Sequence, residues 1–273
     1  MALRFKAMSF LKSTIKKVRE NRADPHLDVC SLGYQYVRLS LKELPWLIGS
    51  ERINSTLVRI DVYSSSMLES RRMATIPFRE LKELLLDMDR MRSLKIDMFN
   101  ILKKDLEAET YVFEAENLFG LMDCGYRAMD IIQFSGEDII HNLNEPLDSA
   151  LWDKFDLVVD GGTIEHCFNA PEALRSVARM VKTGGAAVHF SPMACPNHGF
   201  YNFNPCFFNE FYSSNGFVTG RILGGLSRGD SPLVELPVAG PYPAPADGSS
   251  MLFESFKVES PEQLVCPIQS IYQ

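Results

Sequence analysis

Apolar and polar positions recur along this chain in two periods, and the switches between them mark its elements. The clearest run is Lys154 to Pro192. Phe155, Leu157, Val158 and Val159 form a short apolar run, as in a strand buried on both faces of a parallel sheet. Asp160 ends it, and Gly161-Gly162 lets the backbone turn sharply. Pro171 suits the first turn of a helix. Leu174, Val177, Ala178 and Val181 then recur at helical spacing. Lys182 sits in the predicted last turn, and Gly184-Gly185 stops the helix. Ala187, Val188 and Phe190 rebuild a strand. The pattern predicts a right-handed strand–helix–strand crossover of an α/β sheet.

The same reading extends outward. Leu41 to Ile48 is a modest helical stretch broken by Pro45. Thr56 to Tyr63 is strand-like, and the serines 64–66 form a loop. Residues 78–107 are helical by period, through Phe78, Leu81, Leu84, Leu85, Met88 and Met91. Glu114 to Cys124 is a further helix closed by Gly125. Arg127 to Ile132 and Glu137 to His141 read as a second and a third strand. Asn204 can cap a helix that starts at Pro205 and ends at Gly216. Phe217 to Leu223 and Met251 to Val258 are closing strands. Between them, 229–248 is a Pro- and Gly-rich loop, longer than a plain connection. Alternating strands and helices define an α/β fold.

The first 22 residues hold seven Lys or Arg and one acid, Glu20. Leu3, Phe5, Met8, Phe10, Leu11 and Ile15 share one helical face. Three readings stand: a basic surface helix or flexible tail, an interfacial membrane-contacting helix, or a transit peptide. The domain reading is a basic N-terminal helix or tail over 1–25 and one domain over 26–273, with a helical insertion at about 67–125.

Composition narrows the function. The net charge of −7 argues against a nucleic-acid surface. No apolar run reaches the roughly 18–20 residues needed to span a bilayer, which leaves peripheral contact through the basic N-terminus. Six cysteines with no CxxC pair read as reduced thiols of a cytoplasmic protein. No structural metal site is expected.

FDLVVDGGTIEH, followed by a helix and VKTGGAAVHFSP, resembles the fourth-to-fifth-strand segment of class I S-adenosylmethionine-dependent methyltransferases. AMDII and FSGEDIIHNLNEP resemble the second and third strands of that fold, so the likeness covers about 111–220. CPIQSIY resembles a methyltransferase-like group near sugar and natural-product pathways. The resemblance implies a Rossmann-like, seven-stranded, mostly parallel sheet with flanking helices and an antiparallel last strand. It implies S-adenosyl-L-methionine as cofactor. Asp130, with Ile131 beside it, falls where the family binds the ribose hydroxyls, and a carboxylate is the acceptor that two adjacent hydroxyls need. Asn142-Leu143 falls where the adenine binds, with Asn in place of the usual Asp. Asp160, Gly161 and Gly162 would lie under the methionine part. The family's Gly-rich turn after the first strand has its best counterpart in Leu57 to Ser66. That stretch has no glycine, and Asp61 would take the acid's part.

Glu165-His166 is the strongest catalytic pair. Transfer to a hydroxyl needs the acceptor held about 3–3.5 Å from the methyl carbon and its proton removed, which a His near neutral pH does well. Glu165 would orient the imidazole or hold the substrate. His198 is a second candidate base, with Phe200, Tyr201 and Phe203 as pocket walls. His141 and His189 read as structural. The expected activity is methyl transfer to a small polar acceptor, a hydroxyl of a sugar or natural-product intermediate. The alternative is a non-catalytic binding or scaffold protein of the same fold.

Overall fold

A computed structural model of the chain describes residues 2–20, 22–40, 43–49, 57–62, 72–77, 110–133, 138–226, 232–238, 242 and 245–272. In chain order the elements are β1 (Ala2–Arg4), α1 (Phe5–Glu20), β2 (Leu27–Leu32), β3 (Tyr36–Ser40), α2 (Leu44–Ile48), β4 (Leu57–Val62), β5 (Arg72–Pro77) and β6 (Thr110–Glu114). They continue with α3 (Ala115–Leu121), β7 (Cys124–Asp130), β8 (Ile139–Ile140), β9 (Phe155–Asp160), α4 (Ala170–Met180) and β10 (Val181–Ala194). The last are α5 (Pro205–Ser213), β11 (Phe217–Leu226), β12 (Val234–Leu236) and β13 (Ser249–Lys257). The expected helix over 78–107 and the serines 64–66 lie outside the described residues.

The chain divides into two compact units. One holds Phe10–Tyr34 and Gly125–Gln273; the other holds Ala2–Ser9 and Gln35–Cys124. The first unit is built on an eight-stranded sheet in the order β12-β11-β13-β10-β9-β2-β7-β8. β8 runs parallel to β7; β2, β9 and β10 run parallel to one another; and β13 is antiparallel to both β10 and β11. This is the Rossmann-like sheet with an antiparallel last strand, plus β12 as a short extra edge strand. β9 is buried at all six positions, as its unbroken apolar run requires when both faces are covered. The core gathers Cys30, Met129, Phe155, Val158, Leu174, Val177, Phe208, Tyr212 and Phe253.

Three expectations are corrected. The first strand of this sheet is β2, not Thr56 to Tyr63. Leu27, Val29, Cys30 and Leu32 fill it, and all are buried. β4 instead belongs to the second unit, whose five-stranded sheet runs β1-β3-β6-β4-β5. Asp61 lies in that strand, in register with Met73, so it is not at the end of the first strand of the eight-stranded sheet. The insertion is therefore not helical throughout, since β5 and β6 lie within it. Finally, the N-terminal basic segment is a helix, α1, rather than a flexible tail. In α1, Met8, Phe10, Leu11, Ile15 and Val18 are buried, because the apolar face is covered by protein. No helix among the described residues is long and apolar enough to cross a membrane. A smaller shift concerns α4, which ends at Met180. Lys182 lies in β10 and bonds Asp28 and Asp156 at 2.9 and 3.1 Å.

A charged cluster fixes the part of α1 from Phe10 onward within the first unit. Glu254 of β13 is fully buried. It accepts from Lys17 Nζ at 2.6 Å, from Arg221 Nε at 2.7 Å, and from the Thr14 hydroxyl. Burial alone would raise its pKa, but Arg221, Lys17 and Thr14 outweigh that and hold the carboxyl below the usual range. A carboxylate depressed in the folded state stabilises fully above its unfolded pKa of about 4.3. That contribution is lost as pH falls through the folded value. Urea midpoints measured from pH 7 down to pH 3 are expected to fall more steeply for the wild type than for Glu254→Gln. Parallel acid limbs would contradict this.

Candidate functional site

Parallel strands bring their carboxyl ends to one edge, where ligands of such sheets collect. In the first unit this edge carries Gly33 after β2, Asp130 after β7, Asn142 after β8, Asp160 after β9, and the segment after β10. Gly33 has φ 71°, and its N–H donates to the Met129 carbonyl at 2.7 Å. The turn after the first strand thus folds back on the second strand. Asp130 completes the closure, accepting from the Tyr34 N–H at 3.2 Å and the Ile131 N–H at 2.7 Å. It is partly exposed, and a carboxylate with about four lone-pair sites keeps room for a ligand hydroxyl. Next to it Ile131 and Ile132 are 68% and 55% exposed. Ile132 was not singled out from sequence. Its exposure so close to a strand end is a structural signal only.

Asp160 is not free for a ligand. It is fully buried. Its Oδ1 accepts from the backbone N–H groups of Gly162, Thr163 and Ile164 at 3.2, 2.8 and 3.3 Å. Its Oδ2 lies 2.9 Å from His189 Nδ1, and His189 Nε2 lies 2.7 Å from the Tyr212 hydroxyl. A carboxylate only accepts, so Nδ1 carries the proton and Nε2 accepts from Tyr212. Burial, and then Asp160, push the Tyr212 pKa well up, which keeps that hydroxyl protonated. His189 is structural, as read from sequence. Asp160 shapes the Gly161-Gly162 turn from below, where Gly162 has φ 93°. Thr163 Oγ1 ties the same turn to the Leu32 carbonyl at 2.7 Å.

Asn142 also turns inward on its own segment. Its Oδ1 accepts from the Asn144 N–H at 3.1 Å, and its Nδ2 donates to Glu145 at 3.0 Å. Leu143 is part of the core.

The structure brings the three catalytic candidates together. Ile164–His166 forms a single 3-10 turn. Gly199, at φ 72°, lies against it, and a Cβ there would stand 2.7 Å from the Glu165 carbonyl oxygen. That approach lets the Phe200 N–H donate to the same carbonyl at 2.7 Å. His198 is thereby placed with Nε2 3.3 Å from Glu165 Oε1. The His166 and His198 rings meet edge to face at 4.9 Å. Glu165 is fully buried, His198 partly exposed and His166 exposed. Both Glu165 oxygens and His198 Nε2 are buried without a hydrogen-bond partner. The 3.3 Å approach is thus a close contact that lacks hydrogen-bond alignment.

Burial first, and then the Asp160 charge, push the Glu165 pKa up to about 8. Burial and then His198 lower that of His166. Cys167 is raised to about 11 by burial and by Asp160 and Glu165, so it stays a thiol and a packing residue. Of the expected pocket walls, Phe200 is 66% exposed and pairs edge to face with the exposed Phe168 at 5.7 Å. Tyr201 donates to the Phe168 carbonyl at 2.8 Å, and Phe203 belongs to the core.

No family model matches the sequence, and no curated protein matches it. Solved structures do. TehB from Haemophilus influenzae is 11% identical over 52% of this chain and 53% of its own, with a TM-score of 0.36. The N-methyltransferase NodS from Bradyrhizobium japonicum WM9, in complex with S-adenosyl-L-homocysteine, is 10% identical over 50% of this chain and 69% of its own, with a TM-score of 0.35. An O-methyltransferase family protein from Burkholderia thailandensis is 13% identical over 52% of this chain and 46% of its own, with a TM-score of 0.34. The chain spans about half the length of TehB. The fold stands on the strand order described above, not on these scores.

Proposed function

We propose that the protein transfers a methyl group from S-adenosyl-L-methionine to a hydroxyl of a small polar acceptor, a sugar or natural-product intermediate. The observation that carries this reading is Asp130. It is a partly open carboxylate at the end of the strand next to the first one, in a sheet whose antiparallel last strand lies between β10 and β11. Asp130 would take the ribose hydroxyls, and the exposed faces of Ile131 and Ile132 would lie under a flat apolar ring. Asn142 and Leu143 would bound the adenine. Gly161 and Gly162 would leave space for the methionine part, with Asp160 holding their turn in shape. The cofactor, when bound, supplies an electrophilic methyl group. His166 and His198 would act on the acceptor's proton, and Glu165 would set the imidazoles.

The reading is tested with methyl-labelled S-adenosylmethionine and a panel of hydroxylated acceptors. Label is expected in a product made by the wild type. His166→Ala should slow that transfer by about 100-fold or more, the usual size of general acid–base effects, while leaving cofactor affinity within about two-fold. Equal turnover in the variant would remove His166 from the chemistry.

A second reading, a relative that no longer holds the cofactor, is favoured by the turn after β2. A single glycine, Gly33, stands where a Gly-rich cradle would be. Absence of cofactor binding by the wild type would establish it.

A further inference from the structure

The fold has built something at Glu165, His166 and His198 that a general base alone does not require. Each side chain offers one ligand atom, and the three atoms lie within 4.8 Å of one another. Among the described residues no other trio of His, Cys, Asp or Glu side chains converges in this way. A buried carboxylate with both oxygens unpartnered is expensive, because each lost its water and gained no donor. His198 Nε2 is buried and unpartnered beside it. Proteins keep such groups where something else completes them.

Distances say what could. Two ligand atoms, each about 2.0–2.1 Å from one ion at a tetrahedral angle, stand about 3.3 Å apart. Glu165 Oε1 and His198 Nε2 are 3.3 Å apart. The donor set is two imidazoles and one carboxylate, which suits a divalent first-row transition metal and leaves coordination positions open. His166 is exposed and His198 has 36% of its side chain exposed, so an ion can reach the buried carboxylate from solvent.

We propose that Glu165, His166 and His198 form a binding site for one divalent transition metal ion. From the sequence a metal on these three residues is conceivable but not expected, because an adjacent Glu-His pair and a distant His have no diagnostic spacing. It is Gly199, seated on the Glu165 carbonyl, that joins them. What the ion would do rests on the methyl-transfer reading. An acceptor hydroxyl would fill an open position, and coordination would ease loss of its proton to solvent. His166 would then act through the ion rather than take the proton itself. Binding of the ion does not rest on that reading.

The test uses the full chain stripped with a chelator and titrated with cobalt(II), with zinc(II) as competitor. The wild type is expected to bind one ion per chain, with visible absorption bands stronger than those of the aqueous ion, bleached by zinc. Glu165→Gln and His198→Ala should each weaken binding by at least tenfold. Metal-free Glu165→Gln, similar in volume, should melt at or above the metal-free wild type. An unchanged aqueous cobalt spectrum with the wild type would overturn the site, as would equal binding by both variants. A metal-free Glu165→Gln protein less stable than the wild type would also contradict it, since the carboxylate would then serve the fold. If S-adenosylhomocysteine binds and cobalt does not, only the metal site fails. If cobalt binds and the homocysteine does not, only the methyl-transfer reading fails.

Discussion

Replacing Asp160 by Ala is expected to destabilise the first unit by about 3–5 kcal/mol, the range for breaking a buried charged network by removing one partner. Four donors converge on this one side chain: the backbone N–H groups of Gly162, Thr163 and Ile164, and His189 Nδ1. All lie at buried or part-buried bonds, so water cannot replace the carboxylate fully. The loss then spreads through His189 to the Tyr212 hydroxyl, both fully buried. Asp160→Asn should recover about half of the loss. Its oxygen can still accept from the turn, and its amide nitrogen can donate toward His189 Nδ1. Urea unfolding of the three proteins checks this. An Ala variant within about 1 kcal/mol of the wild type would mean that the turn holds without its carboxylate.

Asp130→Ala is expected to act on binding instead. Its own bonds in the fold are two backbone N–H contacts and one long one to Ile132 at 3.5 Å. Their loss at a partly exposed strand end costs about 1 kcal/mol. The two ribose hydroxyls would each donate to the carboxylate, and hydrogen bonds to a charged group contribute about 1.5–3 kcal/mol apiece. Removing both should therefore lower affinity for S-adenosylhomocysteine by about 100-fold or more. Asp130→Asn keeps acceptor capacity without charge and should fall between. Calorimetry on the folded variants separates the cases. Wild-type affinity in the Ala variant would take Asp130 out of the cofactor site.

Much of the first unit could be read from the chain. β9, α4 and β10 announce themselves because an apolar run, a Gly-Gly turn and a Pro-started helical period follow one another without interruption. Asn204 caps α5 as expected, its side chain accepting from the Cys206 N–H at 3.2 Å. Asp130 was singled out because the family resemblance places a ribose-binding acid at the end of the second strand. β2 was missed for a physical reason. Strand pairing is non-local, and the alternation in Leu57 to Val62 is as strand-like as that in Leu27 to Leu32. Nothing within either stretch tells which sheet it joins, and residues 35–124, which separate the true first strand from the second, belong with Ala2–Ser9 to a different unit. The one local signal was Gly33 directly after an apolar run.

The N-terminal helix shows a similar limit. Its basic and apolar faces are plain from the sequence, but whether lipid, solvent or protein covers the apolar face depends on Phe190, 180 residues further on, which meets Phe10 edge to face at 6.4 Å. Asp160 shows the converse. A carboxylate at a strand end reads alike whether it faces a ligand or three backbone N–H groups of its own turn, and only the geometry decides.

Whether the cofactor binds at the end of β7 is decided by calorimetric titration of S-adenosylhomocysteine into the wild-type chain. One site per chain is expected, with a dissociation constant in the micromolar range. A flat thermogram with the ligand at millimolar concentration would contradict it.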